Sequence, residues 1–282
     1  MIYVSSSCVK AKSIKNAVIK LKDNGFFNIE LSGGTQYYED LVGDLVELKN
    51  KYNLNFLLHN YFPPPERHFV VNLASLDNSI YERSVAALKN SIDLCKSLKA
   101  RKFGLHAGFF TDIHAKELGK AISRRTLYDR EEALKRFCSG FRELKRNSQG
   151  VKLYIENNVF LSGSRRPYLK INPFMLTSYS DFSELKKAID FNLLIDFAHL
   201  KISCNALGLD FSKELNLLMP YSDYLHLSAV KQKDHHKPFS RNSFLLRSLK
   251  DFDLAKKTIT LEISASMDEL KRSYNAIRKE LQ

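Results

Sequence analysis

The chain has 282 residues, 44% of them hydrophobic and 27% charged, with 44 Lys and Arg against 31 Asp and Glu. Such a composition excludes a disordered or fibrous protein, no apolar run reaches the roughly eighteen residues of a membrane span, and MIYVSSS lacks the basic and apolar regions of a secretion signal. The formal charge of +13 favours anionic partners such as phosphorylated metabolites or nucleic acid, although lysine-rich helix faces often simply meet water.

Eight candidate strands follow in chain order: IYVSS (2–6), FFNIEL (26–31), LNFLLHN (54–60), KFGLHA (102–107), VKLYIEN (151–157), NLLIDF (192–197), DYLHLS (223–228) and TITLEIS (258–264). Between and after them run helical patterns at 11–23, 38–51, 79–98, 127–147, 182–190, 210–218, 242–254 and 266–281, clearest in SVAALKNSIDLCKSL, where apolar residues recur at i, i+3 and i+4. Strand and helix in alternation predict a parallel sheet with right-handed crossovers, and eight such units close into a (β/α)8 TIM barrel. A doubly wound open sheet is the competing architecture. The stretches NYFPPPERH and SGSRRPYLK read as long loops after the third and fifth strands, so residues 1–282 are expected to form a single domain. Cys8, Cys95, Cys138 and Cys204 are scattered without CxxC spacing, which fits a reducing cytoplasm better than a disulfide framework or a thiolate metal site.

The polar residues of this pattern gather at strand ends. His59, His106, Glu156, Asp196, His226 and Glu262 close the third to eighth strands, His199 lies just beyond the sixth, and KDHHK after the seventh adds Asp234 and His236. In a parallel barrel the C-terminal strand ends share one mouth, where barrel enzymes keep their active sites. Each residue alone has a plainer reading: a core histidine bonded to a carbonyl, a carboxylate paired with lysine, or, for Asp196 three residues before His199, a helix N-cap. Together they point to divalent metal, since imidazole and carboxylate without thiolate suit zinc, manganese and similar ions. Nine such groups exceed the needs of one ion and suggest two or three.

These residues, with the segment NLASLDNSIYERSVAALKNSIDLCKSLKARKFGLHAG between the first two histidines, resemble the endonuclease IV family of the xylose-isomerase-like barrels. That family cleaves DNA at abasic sites with a trinuclear zinc centre. The resemblance implies that His59, His106 and Glu156 hold one ion. Glu156 would bridge to a second ion held by Asp196, His226 and Glu262, and a third would sit among His199, Asp234 and His236. The chain departs from the family where LDTCHAFAAG becomes IDFAHLKISC, where HLNDS becomes HLSAV, and where the loop after the second strand shortens to SGGTQYYEDL. The last departure removes the insertion with which the endonucleases read DNA and leaves the metal residues intact.

The leading expectation is zinc-dependent phosphoester hydrolysis, with abasic DNA as one substrate and Glu156 or Glu262 orienting the attacking water. Arg165, Arg166, Lys231, Lys233, Lys237 and Arg241 would contact phosphate, unless they form a solvated rim. Tyr61, Phe62, Tyr37 and Tyr38 would stack on a base or pack on the barrel wall. The alternative is a sugar or sugar-phosphate isomerase or epimerase with one Mn, Mg or Co ion, in which Glu156 and Glu262 move a proton and Glu30, at the end of the second strand, adds an acid. A binding protein on a decayed barrel is the third class, and the full ligand set argues against it.

Overall fold

A computed structural model describes residues 1–117, 120, 122–165, 171–231 and 234–281, without the side chains of 164 and 165. Arg166 and Lys233 therefore lie outside the described residues, as does the side chain of Arg165. Strands β1 (Ile2–Ser5), β2 (Asn28–Leu31), β3 (Asn55–His59), β4 (Lys102–His106), β5 (Lys152–Glu156), β6 (Asn192–Asp196) and β7 (Ser222–Leu227) lead to a short hairpin, β8 (Ala229–Lys231) with β9 (Asp234–Lys237), and then to β10 (Thr258–Leu261). The barrel closes in the order β1-β10-β7-β6-β5-β4-β3-β2, every pairing parallel. The strands read as apolar runs because both faces are covered.

The helices are α1 (Ile14–Asp23), α2 (Leu41–Tyr52), α3 (Asn78–Ser97), α4 (Arg130–Asn147), α5 (Ser162–Arg165), α6 (Tyr179–Ala188), α7 (Phe197–Leu207), α8 (Phe211–Leu218), α9 (Phe244–Leu249) and α10 (Met267–Glu280). In α3, Val85, Leu88, Ile92 and Cys95 form the buried stripe, and Asp77 caps the N-terminus by accepting from the Ser79 and Ile80 N–H groups. A capping box between Ser266 and Glu269 starts α10. No described helix is long and apolar enough to cross a membrane.

Two departures from the expected elements bear on the site. Residues 197–207 form a helix directly after β6, where the sequence pattern predicts none. The reason is that FAHLKISCNAL buries Phe197, Ala198, Leu200, Ile202, Cys204 and Ala206 around most of its circumference, so its polar face narrows to Lys201 and Asn205 and marks the period weakly. The loop expected after β7 is instead the β8–β9 hairpin. Inside the barrel Tyr3, Leu57, Tyr154, Leu194 and Tyr224 pack together, Tyr154 edge-on to Tyr224 at 5.2 Å. The interior is thus filled, and the functional groups sit on top of that fill at the C-terminal strand ends.

Candidate metal centre

Register sets the layout. Across β4 and β5, His106 lies opposite Glu156, and across β6 and β7, Asp196 lies opposite His226. Glu156, fully buried, stands at the middle. Its Oε2 is 2.6 Å from His59 Nε2 and 3.2 Å from His106 Nδ1, while its Oε1 is 3.3 Å from His199 Nδ1 and 3.7 Å from His226 Nδ1. His226 Nδ1 is also 3.4 Å from Glu262 Oε2. Gly104 on β4 makes this convergence possible, because a Cβ there would meet His59 Cδ2 at 2.7 Å and Leu194 Cδ1 at 2.9 Å.

The N-cap reading of Asp196 leaves its second oxygen free, so it is compatible with the ligand reading. Its Oδ1 accepts from the His199 N–H at 2.7 Å and starts α7, a bond that fixes the His199 backbone at the mouth. Its Oδ2 is buried with no hydrogen-bond partner. Asn157 clamps the Asp196 backbone from both sides, its Oδ1 accepting from Asp196 N at 2.7 Å and its Nδ2 donating to Asp196 O at 3.1 Å.

The third corner differs from the expected one. Asp234 is 73% exposed and paired with Lys237, and His235 takes the place beside His199 and His236. Ring centroids are 5.6 Å apart for His199 and His235 and 4.2 Å apart for His235 and His236. A regular strand would send residues 235 and 236 to opposite faces, but His236 has φ 59°, and that left-handed turn brings both rings to one side. His236 Nδ1 also approaches Glu262 O at 3.0 Å. Asp234→Asn is expected to leave metal content and turnover within about twofold, as for an exposed surface site. His235→Ala is expected to weaken one ion by about tenfold or more, the scale on which metal sites lose affinity when their surroundings are cut back, read by metal competition.

The electrostatics fit cations. Burial pushes the Glu156 carboxyl up, but His106 and His59 beside it hold it well below the usual carboxylate range. Burial likewise pushes Glu262 up and is overcome by His236 and His226. Burial lowers His199, yet Asp196 and Glu156 outweigh it and raise the imidazole to about 9. His106, where burial dominates, falls to about 4. Glu156 Oε1, Asp196 Oδ2, His106 Nδ1 and His226 Nδ1 are buried without hydrogen-bond partners, each costing about 1–3 kcal/mol if left so. Among the described residues, four trios each bring their ligand atoms within 4.8 Å of one another: His59, Glu156 and His226; His106, Glu156 and His199; Asp196, His226 and Glu262; His199, His235 and His236. A donor set of imidazole and carboxylate with unsatisfied atoms at its centre suits zinc-class ions.

A cavity of about 380 Å³ opens over this cluster, bordered by Ser7, His59, Asn60, Tyr61, Phe109, Lys120, Phe174 and Glu262 among others. Glu262 is 16% exposed, and its Oε1 accepts from Ser7 Oγ at 3.3 Å. Asn60 Nδ2 is buried with no partner. Of the expected phosphate contacts, Lys231 and Arg241 are exposed and, like Lys237, do not border the cavity; Lys120, which the sequence reading did not single out, does. Tyr61 faces the cavity and Phe62 is buried, whereas Tyr38 donates to Asp44 at 2.9 Å away from it. Glu30 is buried beneath His226 rather than facing the cavity. Sequence reasoning missed His235, Asn157, Ser7, Asn60 and Lys120. The HH pair in KDHHK was the one visible signal among them.

A family model described as the xylose isomerase-like TIM barrel matches residues 18–280. A probable endonuclease 4 of Thermotoga maritima is 29% identical over 89 residues, 32% of this chain and 26% of that protein. The match thus spans about a quarter of the curated relative's length. Among solved structures, a D-tagatose 3-epimerase-like protein superposes with TM-score 0.71 at 18% identity, covering 99% of this chain and 96% of its own. Endonuclease IV from Thermus thermophilus superposes with TM-score 0.60 at 15% identity, covering 99% and 98%. At these identities the two structures show the fold.

Proposed function

The chain belongs to the xylose isomerase-like TIM barrel family, and from that premise we propose that its mouth is a multinuclear metal centre that hydrolyses a phosphoester. The observation that carries the reading is the sharing of ligands: Glu156, His226 and His199 each belong to two of the four trios. A one-ion centre built on Glu156, Asp196, His226 and Glu262 has no use for the additional trio of His199, His235 and His236. The relative named probable endonuclease 4 supports the same direction.

His59, His106 and Glu156 would hold one ion, Glu156, Asp196, His226 and Glu262 a second, and His199 with His236 and His235 a third. Such ions supply Lewis acidity, which activates water near neutral pH and offsets charge on the phosphoryl and leaving oxygens. Glu262, reachable from the cavity and steadied by Ser7, is the carboxylate suited to orient the attacking water and accept its proton. Lys120 and the unpaired Asn60 amide are suited to bind phosphate oxygens at the cavity wall. A cavity of about 380 Å³ lies in the range of small-molecule sites and favours a compact phosphoester over a long stretch of duplex.

A second reading has one observation in its favour. Glu156, Asp196, His226 and Glu262 alone make a one-ion set with two carboxylates flanking His226, suited to moving a proton on a small sugar, and an epimerase-like protein shares the fold. The test is to give the zinc-loaded protein bis(p-nitrophenyl) phosphate, a duplex with one abasic analogue, and a ketohexose in parallel. Release of p-nitrophenol or nicking of the duplex is the expected result. Sugar interconversion without phosphoester cleavage overturns the hydrolase reading in favour of the second.

A further inference from the structure

We propose that Glu30 is a positioning residue that fixes the ring of His226 so that Nδ1 faces Glu156 and Glu262 as a ligand atom; the inference rests on the metal-centre reading above. Glu30 belongs to β2, has no exposed surface and is not among the residues bordering the cavity. A carboxylate in such a place needs partners, and it has them across the barrel. His226 Nε2 is 3.1 Å from each of its oxygens, Thr260 Oγ1 donates to Oε2 at 3.0 Å, and the Tyr224 hydroxyl donates to the same oxygen. His226 and Tyr224 lie on β7 and Thr260 on β10, with His226 and Thr260 in register.

The consequence follows from hydrogen-bond inventory. Ionised carboxylate oxygens only accept, so the ring nitrogen facing Glu30 must carry a proton. Once the ring is neutral, its lone pair is on Nδ1, which lies 3.7 Å from Glu156 Oε1 and 3.4 Å from Glu262 Oε2 and has no hydrogen-bond partner. A carboxylate behind a ligating imidazole sets its tautomer and orientation and raises its basicity. The two hydroxyl donors on Oε2 fix the carboxylate in turn. Glu30 therefore acts through His226 and touches no substrate.

Glu30→Gln tests this with nearly unchanged volume. With the amide oxygen kept by Tyr224 and Thr260, the amide nitrogen donates to His226 Nε2 and drives the ring proton onto Nδ1. Competition with a chromophoric zinc chelator is expected to find one ion weakened by about 10- to 100-fold, the range for lost outer partners of metal ligands, with the other ions unchanged. Nitrogen-15 NMR of the zinc-loaded wild type is expected to find His226 protonated at Nε2. Thr260→Val, which keeps the carboxylate and removes one of its donors, is expected to weaken the same ion less; together with the NMR measurement it decides the matter if Glu30→Gln does not fold. Equal weakening of all ions, weakening of none, or a wild-type proton on Nδ1 overturns the proposal. These readouts involve no turnover, so zinc binding of this kind in a protein that cleaves no phosphoester would overturn the hydrolase reading and leave the role of Glu30 standing.

Discussion

Glu156→Gln is expected to lower phosphoester turnover by more than about a thousandfold, well beyond the 10- to 100-fold of an outer-partner lesion, and to reduce the bound metal by at least one ion. Glu156 alone is close to four imidazoles, from His59 at 2.6 Å to His226 at 3.7 Å, and belongs to two of the ligand trios. The amide keeps the volume and loses the charge. It also turns a donor toward one of the ring nitrogens, so two ligand groups are disturbed by one substitution. Steady-state kinetics with metal analysis of the same preparation checks it. Turnover within tenfold of wild type, at full metal content, would remove Glu156 from the centre of the account.

Stripping the metal is expected to lower the melting temperature by at least roughly 8 °C, with full recovery on adding zinc. One ion present at about a thousand times its Kd contributes about 4 kcal/mol by mass action, about 2 °C per kcal/mol applies to a chain somewhat larger than those surveyed, and each further ion adds to that. Without cations the cluster keeps its carboxylates compensated only by protonated imidazoles. His199, lowered by burial but raised more strongly by Asp196 and Glu156 to about 9, is one of these. Its stabilising contribution is fully present below about pH 6.5, the unfolded value, and is lost as pH rises through about 9. The stripped protein should therefore lose stability across that window while the zinc-loaded protein does not. Calorimetry of both forms at pH 6, 8 and 10 checks it, and identical melting curves for the two forms would contradict it.

Much of the architecture was legible because barrel strands and their helices obey different periods. After Asn55 and Lys152, LNFLLHN and VKLYIEN run through three hydrophobic residues and then turn polar at His59 and Glu156, and that switch marks the mouth in the sequence itself. What escaped reading escaped for physical reasons. Helix α7 is buried over most of its circumference, with only Lys201, Asn205 and Leu207 reaching solvent, so its amphipathic signature is weak, and its start was visible only as the Asp196 to His199 spacing. Asp234 was paired with His236 through the family resemblance alone, and the left-handed turn at His236, φ 59°, which brings His235 to the same side, leaves no mark in KDHHK. Glu30 was visible as an acid at a strand end, but whether such an acid faces the cavity or supports a neighbour depends on side chains from β7 and β10, which no local pattern reveals.

Counting ions in the purified protein tests the central claim most directly, that distant imidazoles and carboxylates hold several cations at one mouth. Elemental analysis against protein concentration, after equilibration with zinc and removal of excess, should give two to three ions per chain, falling by one in His235→Ala. One ion per chain, unchanged in that variant, or none at all, would contradict it.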